Sequence, residues 1–398
     1  MEYITAREAA EKWNVSQRLV QKYCAQGRID GARKFGVSWE IPANASKPED
    51  PRKAKDRPSP PARRPKASSD LMPLMNTAFE PGRCMEYIRA MKDGPGKEIA
   101  LAEYHYFSGQ PELAAQEAEL HLTDPDAARR LSACLIYAYA HLSIGQIHRA
   151  RYALAEVTNA LLTADENTPP EIYAAQAFAP PAPAVLLHLP LPETLPPIQE
   201  FMDLLPPGLR AFALYVLAHY MYLQEEYAKS LGIVEATLAM SGADYPIPAI
   251  YLHLVAVMDC MSLRQTDRAQ AHLLEAWRIA QPDDLIEGFG EHHGLLGGML
   301  EAVIKKDWPE DFKRIIAITY RFSAGWRRIH NPVTGDSVAD NLTTTEFAAA
   351  MLAARGWTNQ EIGEHMNISP NTVKRYISLA LQKLNIRHRQ DLKKYMLQ

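Results

Sequence analysis

The sequence predicts a mainly α protein with a small mixed unit of helices and a hairpin at its N-terminus. Three observations carry this. Residues 71–335 are rich in Ala and Leu, with apolar residues at helical spacing. Residues 336–398 hold a dense run of helix start and stop signals. Gly31 to Ile41 reads as a β-hairpin, with Lys34, Gly36, Ser38 and Trp39 at or near its tip.

Composition bounds the answer. A chain of 398 residues, 47% of them hydrophobic, is long and apolar enough for two or three packed domains. It has no apolar run of membrane-spanning length, so no membrane partner is expected. Met1-Glu2-Tyr3-Ile4-Thr5 lacks the basic-then-apolar pattern of a secretion signal. Cys24, Cys84, Cys134 and Cys260 lie far apart without a CxxC. That argues against a disulfide framework or a zinc cluster and fits a reducing cytoplasm. The net charge of −4 is uneven: residues 1–70 carry +6, residues 343–398 carry +4, and the stretch between carries −14. Basic ends suit a polyanion, and an acidic middle is repelled by one.

Four regions follow. Residues 1–44 are compact and mixed. Residues 45–70 concentrate Pro48, Pro51, Pro58, Pro60, Pro61 and Pro65 among Lys, Arg and Ser, and read as an extended linker. Residues 71–335 are helical, and residues 336–398 are again compact. In the middle region, helix pairs are read at about 97–122, 127–162, 209–240 and 247–281. A small residue recurs twelve positions apart: Ala102 and Ala114, Ala138 and Ala150, Ala218 and Ser230. Val257, Ala269 and Ala276 fit the same frame less cleanly. Small residues let the two helices of a hairpin approach closely. The pattern resembles tetratricopeptide (TPR) repeats, which implies a TPR-like helical repeat solenoid; an irregular helical bundle is the alternative. Residues 165–208 interrupt the pattern with prolines, which restrict helices. Val185-Leu186-Leu187 and Phe201-Met202 make that stretch pack on the helices, as a strap or as the wall of a groove.

The C-terminal run is the most specific part. Thr343 with Glu346 is a capping box that starts a helix to about Ala354, burying Phe347, Met351 and Ala350, and Gly356 ends it. Thr358 with Glu361 is a second box, opening a short helix through His365. Gly363 inside it, costly by about 1 kcal/mol relative to alanine, signals a close helix–helix approach. Ser369-Pro370 then caps a third helix. Val373, Ile377, Ala380, Leu381 and Leu384 form its apolar face. Asn371, Thr372, Lys374, Arg375, Ser378 and Gln382 form the other. Short helices joined by a tight turn at 366–369 are a helix-turn-helix, and a polar, basic third helix suits the DNA major groove. Residues 342–392 resemble, without a gap, the LuxR-type (GerE-like) DNA-binding domain of bacterial transcription regulators. The resemblance lies in Leu342-Thr343, Glu346, Gly356, Asn359, Glu361-Ile362, Ile368-Ser369, Thr372-Val373-Lys374, Lys383-Leu384 and Arg389. Thr345 stands where the family usually has arginine, Tyr376 replaces a common histidine and Gly363 a usual alanine, so the target sequence does not carry over. The resemblance implies a four-helix LuxR-type helix-turn-helix, double-stranded DNA as partner and a homodimer on a two-fold operator. Lys374 and Arg375 are candidates for base-edge or nearby phosphate contacts, with Asn371 and Ser378 adding hydrogen bonds. Thr358, Asn359, Thr372 and Lys383 are placed for phosphates.

Residues 3–42 read as a smaller helix-turn-helix with a wing. Thr5 with Glu8 caps a helix through Lys12. Val15-Ser16 makes the turn, and Ser16 caps a second helix to about residue 26. Val20, Tyr23 and Cys24 face inward. Ser16, Gln17, Arg18, Gln21 and Lys22, with Lys34 on the hairpin, are the candidate DNA contacts. Thr5-x-x-Glu8-Ala9-Ala10, Val15-Ser16, Val20, Gly27-Arg28-Ile29, Gly31-Ala32 and Trp39-x-Ile41-Pro42 resemble the excisionase-like, MerR-related winged-helix family. Docking on a protein instead of DNA is the alternative.

No GxxxxGK[ST] phosphate loop occurs, Gly94-Pro95-Gly96-Lys97 is a turn, and no nucleophile–base set points to an enzyme. His292-His293 beside Glu287 and Glu291 lacks HExxH spacing and reads as solvated or packed, so neither a metal nor a cofactor is expected. The expected function is a cytoplasmic, DNA-binding transcriptional regulator whose helical middle binds a peptide, protein or small-molecule effector. The alternatives are a DNA-architectural or recombination accessory factor and a TPR-like protein-interaction scaffold.

Overall fold

The computed structural model describes residues 3–25, 27–29, 31–35, 38–48, 71–162, 168–189, 191, 195–240, 242–330 and 342–393. Residues 49–70 of the expected linker, hairpin residue Gly36 and the expected start of the C-terminal domain at residue 336 lie outside them. Contacts divide the chain into two units, Met1–Arg64 and Pro65–Gln398.

In the first unit, β1 (Tyr3–Thr5) leads into α1 (Ala6–Trp13), followed by α2 (Gln17–Ala25), β2 (Arg33–Phe35) and β3 (Ser38–Pro42). The sheet order is β1-β3-β2 and both pairings are antiparallel, with Ile4 opposite Ile41 and Lys34 opposite Trp39. The sequence reading includes the β2–β3 hairpin but not β1, which is too short to show alternation. The Thr5 N–H donates to the Glu8 carboxylate at 2.7 Å and the Glu8 N–H donates to the Thr5 hydroxyl at 3.3 Å, closing the expected capping box. Ala9, Trp13, Val20, Tyr23, Cys24, Ile29 and Ile41 form a core of their own.

The second unit is helical. It begins with α3 (Cys84–Ala90), α4 (Pro95–Phe107) and α5 (Pro111–Glu119), then α6 (Ala127–Ile144) and α7 (Ile147–Leu162). Next come α8 (Pro170–Phe178), α9 (Pro181–Leu186) and α10 (Ile198–Phe201). The body continues with α11 (Pro207–Leu223), α12 (Tyr227–Met240), α13 (Pro246–Ser262) and α14 (Thr266–Ala280). Short α15 (Glu287–His292), a π-helical turn over Leu300–Ile304, α16 (Lys305–Asp307) and long α17 (Pro309–His330) close it.

The pairs α4–α5, α6–α7, α11–α12 and α13–α14 pack as neighbours, where the helix pairs are expected. Ala102, Ala114, Ala138, Ala150, Ala218, Ser230, Val257 and Ala269 are all buried. Where a side chain is this small, helix axes come close; the Ser230 hydroxyl even reaches the Ala218 carbonyl across its pair, at 2.8 Å.

The proline-rich stretch is more helical than its composition suggests. Pro170 and Pro181 occupy first-turn positions, where the missing N–H costs no hydrogen bond. Phe178, Val185, Leu187 and Phe201 anchor the stretch in the core. His292 and His293 are packed, not solvated: His292 bonds Tyr215 and the Gly288 carbonyl, and His293 pairs with Glu301. Among the described residues no helix is long and apolar enough to cross a membrane.

Candidate nucleic-acid interface

Three helices end the described chain: α18 (Thr344–Ala354), α19 (Asn359–Met366) and α20 (Pro370–Lys383). A 3-10 turn at Arg389–Asp391 follows, and the described residues stop at 393, so the expected fourth helix lies mostly outside them. Thr343 with Glu346 and Thr358 with Glu361 both form complete capping boxes. Asn367 then adopts a left-handed conformation (φ 54°) that stops α19. The Ile368 N–H donates back to the Gly363 carbonyl at 2.9 Å, and the Ser369 hydroxyl accepts from the Thr372 N–H at 3.1 Å. These bonds hold the turn between α19 and α20. A Cβ on Gly363 would lie 2.7 Å from the Ile368 carbonyl oxygen. The close approach is therefore to the turn's own backbone and to Pro370 at the start of α20, whose nitrogen lies 3.3 Å away.

Val373, Ile377, Ala380 and Leu384 are buried on one side of α20. Asn371, Lys374, Arg375, Ser378 and Gln382 are exposed on the other, and Thr372 is half-buried beside the Ser369 cap. The first group packs the helix; the second leaves a row of donors and two cations facing outward. Three other predicted contacts also have structural tasks. Thr358 caps α19, Asn359 accepts from Arg389 at 2.6 Å, and Lys383 pairs with Glu346 at 2.6 Å. Arg389 also donates to the Trp357 carbonyl.

At the other end of the chain, α1 stops at Asn14 (φ 51°), and the Val15 N–H donates to the Ala10 carbonyl at 3.0 Å. Helix α2 buries Val20, Tyr23 and Cys24. Ser16, Gln17, Arg18, Gln21 and Lys22 are exposed, as is Lys34 on β2. Arg33 is tied to Glu40 at 2.9 Å and lies over the Tyr3 ring.

Residues 340–396 match the family model described as bacterial regulatory proteins, luxR family. This part of the chain is a LuxR-type helix-turn-helix domain. The match supports a DNA-binding transcription regulator. A search of curated proteins and a search of solved structures found no match to the chain.

The LuxR-type domain is docked on the helical body through faces other than the outward side of α20. Arg355 Nη2 donates to the Tyr222 hydroxyl at 2.6 Å and to the Leu295 carbonyl at 2.8 Å. Arg264 of the body pairs with Glu361 at 3.0 Å and donates to the Gly356 carbonyl at 2.8 Å. His365 Nε2 lies 3.1 Å from the Gly297 carbonyl, and burial holds its pKa below the usual imidazole value against the opposing pull of that bond. Phe347 is half-buried rather than buried, and its ring lies against Gly294 of the body. A Cβ on Gly294 would stand 2.5 Å from that ring. Sequence reasoning does not single out Arg355, Arg264 or His365. Their partners lie far off in the chain, so no local spacing marks them.

Proposed function

We propose that this protein is a bacterial transcription regulator whose α20 reads a promoter site through Lys374 and Arg375. Asn371 and Ser378 add base-edge hydrogen bonds, and Thr358, Asn359, Thr372 and Lys383 position the phosphates. The observation that carries this is the exposed basic row on α20, opposite the buried face of the same helix. Arginine and lysine at such a row can bond guanine edges, and the phosphate contacts fix the register. The N-terminal unit acts as a second, winged helix-turn-helix, with Ser16, Gln17, Arg18, Gln21, Lys22 and Lys34 toward DNA. Its support is the exposed polar face of α2 and the adjacent antiparallel hairpin. The hairpins of the TPR-like middle carry the effector site. Segment 293–298, beyond the last hairpin, supports a link from the body to the LuxR-type domain, because it touches Phe347, Arg355 and His365. The protein works in the cytoplasm as a homodimer and needs no catalysis, metal or cofactor.

Genome-wide DNA capture with the purified chain, against Lys374→Ala/Arg375→Ala at moderate salt, tests the reading helix. One recurring site, lost in the double variant, is the expected result. Equal enrichment by both proteins would move the reading function to α2. Bridging of separate sites without an effect on neighbouring transcription would favour the architectural role, which the exposed face of α2 also supports.

A further inference from the structure

The helical body contains a cavity that the DNA-binding reading does not use. Its volume is about 60 Å³, and its wall is almost wholly apolar. The rings of Tyr106, Phe107, Tyr139, Phe178, Phe212 and Tyr251 line it. They touch in edge-on pairs, among them Phe212–Tyr251 at 5.5 Å and Tyr106–Tyr139 at 6.0 Å between centroids. The charged residue of the wall is Glu291 on α15. Its two oxygens accept from the Tyr106 hydroxyl and, at 2.7 Å, from the Tyr251 hydroxyl. Among the described residues no cation pairs with it. Arg321 sits nearer Glu287, one helical turn earlier, and donates to the Gly109 carbonyl at 3.2 Å. The Tyr139 hydroxyl in the same wall is buried and has no hydrogen-bond partner among the described residues.

A buried carboxylate without a counter-charge is expensive, and burial raises the Glu291 pKa against the pull of both tyrosines. The cavity therefore favours a positive charge on an apolar body. We propose that this cavity is a binding site for a small organic cation of the alkylammonium class, held by Glu291 and the surrounding rings. The space takes a head group of a few heavy atoms. Met72 and Met75 in the wall are unbranched and can yield to a longer tail. As the effector of the regulator, the cation rests on the function proposed above; as a ligand, it does not. Glu291 lies two residues before segment 293–298, so a ligand at the carboxylate sits at the root of the contacts that hold the LuxR-type domain.

Titration calorimetry on the full chain tests the site with choline and its uncharged isostere 3,3-dimethylbutan-1-ol. Choline is expected to bind one per chain, with the alcohol roughly tenfold weaker or more. Glu291→Gln keeps the shape and one of the two acceptors but removes the charge, so it should weaken choline by a similar factor and leave the alcohol nearly unchanged. Equal affinity for the two probes, no choline binding at millimolar concentration, or an unaltered Glu291→Gln overturns the proposal. If that variant does not fold, the ratio of the two probes on the wild type still decides. Choline binding by a chain that captures no DNA would sink the regulator reading and leave the cation site standing.

Discussion

Two segments of this chain, 353 positions apart, are built on one local plan. Thr5, Glu8, Asn14, Val15 and Ser16 recur at the same spacing as Thr358, Glu361, Asn367, Ile368 and Ser369. Both threonines close capping boxes, and both asparagines are left-handed. Val20 and Val373 are fully buried at matching positions, while Gln21 and Lys22 stand where Lys374 and Arg375 do. The difference lies in what each helix pair packs against. The first is backed by a three-stranded sheet and keeps a separate core. The second shares one continuous core with the helical body. The same short-range code therefore makes the turn twice, and the surroundings decide whether the helix pair keeps a core of its own or shares a larger one.

Core truncation should separate the two regions most strongly. Ile41→Ala and Ile362→Ala each remove a fully buried side chain, at a cost of about 2–5 kcal/mol. Calorimetry should show Ile41→Ala shifting a transition of the N-terminal unit alone and Ile362→Ala shifting that of the helical body. A single transition moved equally by both would break the comparison.

Next in size are the proposed reading faces. Lys374→Ala should cost about 1–3 kcal/mol and relax specificity at one position, if it reaches a base edge. Lys22→Ala, the counterpart of an Arg375 variant, is expected to weaken binding more evenly across sequences. Titrations at several salt concentrations would tell a base contact from a phosphate contact, since only the latter flattens the salt slope.

The tether can be probed at Arg355. Arg355→Ala leaves the Tyr222 hydroxyl and the Leu295 carbonyl without their partner, at about 1–3 kcal/mol. Hydrogen exchange should quicken in α18 and stay unchanged in α1 and α2. Slower still to show, the paired caps offer an internal control: Thr5→Ala and Thr358→Ala should each cost about 1 kcal/mol in their own helix. A large inequality would mean that the two plans are alike only in sequence.

Acidification should give the mildest effect. Burial lowers the His365 pKa from 6.5, so the open domain binds a proton more readily than the docked one. Docking is then fully supported above about pH 6.5 and weakens as pH falls from there toward the lowered value. Exchange in α19 measured between pH 7 and pH 5.5 should rise, and His365→Gln should remove the rise.

Much of the candidate site's local geometry was legible in sequence because its signals are local. Capping boxes, the Ser369-Pro370 start and the apolar positions of α20 act over three or four residues. They place Lys374 and Arg375 outward without help from the rest of the chain. The small residues twelve apart likewise announce helix pairs, because close packing leaves room for little else. What the sequence determined alone is thus the helices, their caps and the faces they bury. Only tertiary structure decided that β1 joins the hairpin, that proline-rich residues become anchored helices, and that Glu287, His292 and His293 lie in the core. It also decided that Arg355, Arg264 and His365 tether the LuxR-type domain. The physical reason is range: backbone signals are set within a turn, whereas burial and pairing depend on partners tens to hundreds of residues away.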